Sequence, residues 1–149
     1  MKKYIGTKII EATPMSRGDY NKYRGWTIPA DENPADEGYL VKYSDGYESW
    51  SPKKQFDEAY RECDNMTFGL AIEMMKKGKK VARKGWNGKG QYIQLATGIS
   101  YKLGAGKIVN CTHEDIGNKA IAFIGTSGVQ MGWLASQADM LAEDWIVVK

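Results

Sequence analysis

Arg83, Lys84, Trp86 and Asn87 share the stretch VARKGWNGKG, residues 81 to 90. An indole among cations and glycines suits a core poorly. It suits a flat, anionic ligand well. Gly85 and Gly88 leave the Trp86 ring approachable, and stacking a base on such a ring is worth about 1–3 kcal/mol. Arg83 can grip a phosphate bidentately, and Lys84, helped by Lys89, adds point charge. Asn87 offers a donor and an acceptor to a base edge or a ribose hydroxyl. The backbone amides of the glycine-rich loop add an anion-binding nest. The opposing reading buries Trp86 beneath a sheet and leaves the cations to solvent.

A second set of candidates lies near Trp133, where a strand ends and a helix begins, an arrangement that favours anions. Asp139 is on that helix. It caps the helix from three residues after Ser136, or it accepts ribose hydroxyls, and the two roles are compatible. Trp145 sits in an apolar run and reads as core. Met66, Met74, Met75, Met131 and Met140 read as gap-filling core residues.

Catalytic sets are poorly supported. The chain has one histidine, His113, in NCTHEDIG. No nucleophile elbow lies near it, and nothing visible activates Cys111. Asp115, Asp139 and Asp144 make a carboxylate site only if none is a cap or a surface residue. Neither GWNGKG nor GAGKI has the spacing and ending of a phosphate loop. Cys63 and Cys111 have no metal or redox spacing and are expected as free thiols. No metal site and no cofactor are expected.

The charge pattern supports an anionic partner. Residues 1–65 carry ten Lys/Arg against twelve Asp/Glu, and residues 66–149 carry eleven against six. Met74 to His113, forty residues, holds nine Lys/Arg and no acid. Such a run attracts anions. The 149 residues make one ordinary domain or two small ones. No stretch approaches the roughly 20 apolar residues of a membrane span, and no secretion signal is visible, so a cytoplasmic protein is expected.

The elements that must position these residues are short. Thr67 is a helix N-cap; Phe68, Ala71, Ile72 and Met75 recur at helical spacing, and Gly78 ends the helix. Strands are expected at Lys80–Arg83, Gln91–Leu95, Lys107–Asn110 and Ala120–Ile124. A turn at residues 125–128 leads to a strand at Val129–Trp133. Ser136 caps a short helix, and Trp145–Val148 is a last strand. In the first half, strands are expected at Tyr4–Ile10, Gly38–Tyr43 and Tyr47–Trp50, with Ser51 capping a helix from Pro52 to Tyr60. PADENPADEG is an acidic loop. The fold class is therefore α+β. A small antiparallel sheet with short helices occupies 66–149, preceded by a smaller α+β module at 1–65. That module reads as a degenerate repeat: YRGW echoes RKGW, and SDGYESWSPKKQF echoes TSGVQMGWLASQADM.

The stretches MTFGLAIEMMKKGKKVARKGWNGKGQYI and GWLASQADMLAEDWIVV, in that order, resemble the phage Thoeris anti-defence 2 family. The resemblance covers Met66 to Val148, just over half the chain. It implies a small α+β homo-oligomer, typically a tetramer, without enzymatic activity. It implies sequestration of cyclic nucleotide immune signals, above all glycocyclic ADP-ribose, in the bacterial cytoplasm during infection. Some members also hold cyclic dinucleotides at separate sites. Pockets are expected between protomers, with tryptophans stacking on bases. Trp86, Trp133 and Asp139 carry over as ligand contacts; Arg83, Lys84 and Asn87 rest on charge and geometry alone. Residues 1–65 depart from the minimal pattern and are expected as an accessory module, which leaves the oligomer open between tetramer and dimer. The alternative is a single-stranded nucleic-acid binder using the same cations and tryptophans. The acidic first half weighs against it. A hydrolase of a nucleotide signal is weaker still.

Overall fold

The computed structural model describes residues 1–86, 88–111 and 119–149, with the side chains of residues 110 and 111 not described. Asn87, His113 and Asp115 lie outside the described residues. The chain forms two compact units, Met1–Arg61 and Glu62–Lys149.

The second unit is built on a five-stranded antiparallel sheet. Its strands are β4 (Lys80–Arg83), β5 (Tyr92–Ala96), β8 (Ala120–Gly125), β9 (Gly128–Met131) and β10 (Trp145–Val148), in the order β10-β4-β5-β8-β9. Helix α3 (Phe68–Lys76) packs against β4, β5 and β10. It begins where the sequence predicts: the Thr67 hydroxyl accepts from the Leu70 N–H, satisfying one of the four donors every helix start leaves open. Its apolar face supplies Ala71, Met74 and Met75 to a core completed by Met66, Val81, Ile93 and Trp145. Trp145 is fully buried, as its apolar run predicts. Met131 and Met140 correct the expectation of core methionines: they are 46% and 40% exposed. Met131 lies on the edge strand, and Met140 is on a helix with no buried residue. A separate hairpin joins β6 (Ile99–Lys102), which the sequence reading missed, to β7 (Ile108–Cys111). GAGKI is the turn of this hairpin, closed by the Leu103 N–H donating to the Lys107 carbonyl.

The first unit holds a three-stranded antiparallel sheet, β1 (Glu11–Pro14), β2 (Gly38–Lys42) and β3 (Glu48–Pro52), in chain order. Helix α1 (Arg17–Arg24), unforeseen, is capped by Ser16. Helix α2 (Lys53–Ala59) stacks Phe56 on Tyr39 at 4.0 Å. Gly38 is required by close approach: any Cβ there would collide with the Trp50 ring and the Ser51 carbonyl.

Two expectations fail here. Residues 4–10 form no strand; pairing begins at Glu11↔Lys42. The partner β2 ends at Lys42 and the chain turns at Tyr43–Gly46, so no backbone lies opposite residues 4–10 within this sheet. Ser51 does not cap α2. The strand continues through Pro52, which pairs with Gly38, and Pro52 occupies the cap position without a side-chain hydrogen bond. The repeat is matched in part. Each unit has a hairpin followed by a short helix, β2-β3-α2 and β8-β9-α4 (α4 being Gln137–Leu141). YRGW, however, closes a helix where RKGW closes a strand.

Candidate functional site

The site grows from the end of β4. Arg83 lies opposite Trp145 in the β4-β10 ladder. The chain then turns: the Lys84 N–H donates to the Asp144 carbonyl at 3.1 Å, and the Trp86 N–H donates to the Arg83 carbonyl at 3.3 Å. The Gly85 N–H donates to Asp144 Oδ2 at 3.3 Å. The loop carrying Trp86 is therefore pinned to the approach of β10. Trp133 is placed from the other side, its N–H donating to the Ile121 carbonyl at 3.0 Å.

Trp86 is half-buried, and its ring meets three others near edge-on: Trp145 at 5.5 Å, Phe123 at 5.7 Å and Trp133 at 5.9 Å. Such tilted contacts suit the aromatic quadrupole and add about 0.5–1.5 kcal/mol each beyond burial. An open cleft of about 340 Å³ lies beside them, lined by Trp86, Gly88, Gln91, Phe123, Trp133 and Asp139. Neither pure reading of Trp86 fits: the ring packs against aromatics and also walls a cleft.

Asp139 ties the site together. It completes a capping box with Ser136, whose N–H and hydroxyl both donate to Oδ2 at 3.1 and 2.8 Å. Arg83 Nη1 donates to Oδ1 at 3.0 Å, and the Trp86 side chain donates to the same carboxylate. Burial pushes this carboxyl up, but the donors from Arg83, Ser136 and Trp86 outweigh it and hold it below the usual carboxylate value. A carboxylate has about four acceptor positions, so a ribose hydroxyl would have to replace a present donor. The helix start, too, already has its negative charge in Asp139.

Arg83 is committed twice, since Nε donates to Asp144 Oδ1 at 2.9 Å. The hydrogen bond from Arg83 is the main cause holding Asp144 below its ordinary value; the same two carboxylates raise Arg83. Two of its five N–H donors are thereby engaged. Lys84 is exposed and is not among the residues lining the cleft; its Nζ donates to Asn65 Oδ1 at 2.9 Å. The structure thus brings together Trp86, Trp133 and Asp139, sets Arg83 behind Asp139, and turns Lys84 toward Asn65. The sequence reading missed Gln91 and Phe123. Phe123 had a signal as the aromatic of an apolar strand; Gln91 had none. Among the described residues no group of three His, Cys, Asp or Glu could hold a metal ion, and no helix is long and apolar enough to cross a membrane.

Fold and cleft together define a small antiparallel α+β domain with an aromatic-walled surface cleft. Residues 66–148 match the Thoeris anti-defense 2-like domain, and the chain belongs to that family. It is 40% identical over 88 residues to Thoeris anti-defense 2 of Bacillus phage SP01, covering 56% of this chain and 94% of that protein. The chain is thus a member of a phage anti-defence family.

Proposed function

We propose that this chain binds a cyclic nucleotide immune signal, glycocyclic ADP-ribose foremost, and holds it chemically unchanged, so that bacterial defence stays silent. The observation that carries this reading is the cleft between Trp86, Phe123 and Trp133 with Asp139 and Gln91 on its lining, in a member of an anti-defence family. In this reading Trp86 and Trp133 stack on a base. Asp139 and Gln91 meet ribose hydroxyls, the Asp139 carboxylate exchanging one of its present donors. Arg83 and Lys84 supply positive potential for phosphates. No cofactor or metal takes part. Among the described residues, Asp139 and Asp144 are held below the ordinary carboxylate value with Arg83 as a donor to each, so neither is a raised general acid.

At about 340 Å³ the cleft is at the small end of the range of roughly 300–1,000 Å³ for small-molecule sites. A second protomer completing it fits the exposed Val129, Leu134 and Leu141 of this unit, apolar surface that a homo-oligomer would cover. The setting is the cytoplasm of the infected cell, with residues 66–149 as the ligand-binding domain and 1–65 as an accessory module.

Calorimetric titration with glycocyclic ADP-ribose and with a cyclic dinucleotide tests the reading. Sub-micromolar binding is expected, and the heat-denatured complex should release ligand of unchanged mass. Trp86→Ala should weaken binding by about 5- to 150-fold, the equivalent of 1–3 kcal/mol of stacking. A cleaved product would replace the reading with an enzymatic one. Equal affinity in Trp86→Ala would move the site elsewhere. Oligonucleotide binding that collapses with salt would favour the single-strand alternative.

A further inference from the structure

Residues 4–10 read as strand-forming, and among the described residues they pair with no strand of their own chain. The run Tyr4-Ile5-Gly6-Thr7-Lys8-Ile9-Ile10 is rich in aromatic and β-branched residues, which favour pleated pairing. Yet residues 1–10 belong to no helix or strand. Tyr4 is 87% and Ile5 95% exposed, beside a half-exposed Ile9. The segment leads straight into β1, an edge strand with all four residues exposed. An apolar, uncapped stretch of this kind is a template for pairing with another chain.

We propose that the segment pairs antiparallel with the same segment of a second copy of this chain, about a two-fold axis at Thr7. The register follows from chemistry. Centring the pair on Thr7 sets Ile5 opposite Ile9, Tyr4 opposite Ile10, and Lys3 opposite Glu11. By symmetry each pair occurs twice, as an isologous contact requires. One face then reads Lys3, Ile5, Thr7, Ile9, Glu11 against its reverse: an apolar middle closed by opposite charges. Directly opposed pairs of these types are the ones that stabilise sheets. Centring on Lys8 instead sets lysine against lysine, and centring on Gly6 sets Lys3 against Ile9 and Tyr4 against Lys8. In the chosen register Gly6 faces Lys8, leaving room for Lys8 to lie over its own Tyr43, where its Nζ is 5.2 Å from the ring. The contact pairs the two exposed segments with each other and, through Lys3 opposite Glu11, reaches the start of each β1. It involves no residue of the cleft, so it stands or falls apart from the ligand reading.

The test uses the full-length chain with Cys63→Ser and Cys111→Ser, so that the only thiol is the one introduced. Residues opposed across an antiparallel pair are within disulfide reach, so Thr7→Cys should cross-link to itself under mild oxidation about tenfold faster than an exposed control, Lys22→Cys. Adding Lys3→Glu sets like charges opposite at both ends and should slow cross-linking about fivefold. Adding Glu11→Lys to that variant should restore the rate. Cross-linking of Thr7→Cys no faster than the control, or a rate indifferent to both charge changes, overturns the proposal.

Discussion

Trp26 and Trp86 end nearly the same four residues, YRGW and RKGW, and their arginines take different partners. In the first unit Gly25 closes α1 in the left-handed region, at φ 73°, and Trp26 emerges half-exposed. Arg24 lies over both aromatic neighbours, 5.4 Å from the Trp26 ring and 5.5 Å from that of Tyr20. Arg17 does the same to Trp50 at 5.1 Å. In the second unit Arg83 is drawn to Asp139 and Asp144 instead, and Trp86 packs among other rings beside an open cleft. At the two motifs, then, Arg24 lies over the Trp26 ring, while Asp139 and Asp144 take up Arg83. The motif alone does not set the tryptophan's surroundings; the partner available to its arginine differs between the two units.

The contrast can be broken in order of expected effect. Trp145→Ala removes the fully buried ring against which Trp86 and Phe68 pack. It should cost about 3–5 kcal/mol, seen as a lower urea midpoint for residues 62–149. Asp139→Ala removes the capping box and the ties to Arg83 and Trp86 together. A loss of about 2–3 kcal/mol is expected in the same measurement, and a loss no greater than that of Ser136→Ala would show the Arg83 tie to be idle. Acid comes next. Asp139 and Asp144 titrate below their ordinary value in the folded chain, so the unfolded chain binds more protons there. Their contribution is present above the ordinary carboxylate value of about 3.9 and is lost as pH falls through the lower folded values. Urea unfolding from pH 6 downward should show that loss, and Arg83→Met should flatten it. Trp26→Ala should cost least, below about 1 kcal/mol, and leave ligand affinity unchanged. A large effect there would mean that the first unit uses its tryptophan as the second does.

Much of the fold was legible because its signals are local. Thr67 and Ser136 cap helices by side chains that reach three residues on, and Gly125 to Gly128 closes a hairpin within four. Trp145–Val148 and Lys80–Arg83 form strands at the expected bounds. The misses concern partners. Tyr4–Ile10 has strand-forming residues but nothing opposite it in its own sheet. Ser51 has a capping side chain, but the ladder to β2 carries the strand past it. Helix α1 was signalled by Ser16 and Gly25, and β6 by alternation too short to stand out.

The candidate site divides the same way. Residue types and spacing by themselves marked Trp86, Trp133 and Asp139, because an indole among glycines and a carboxylate three residues after a serine are local facts. That Asp139 would bind Arg83 across 56 residues, and Asp144 the same arginine across 61, depended on β10 pairing with β4. That Phe123 and Gln91 would join the tryptophans depended on β5 lying between β4 and β8. Side-chain chemistry is written one residue at a time, whereas the neighbour that satisfies it is set by strand register, and register is a property of the folded sheet.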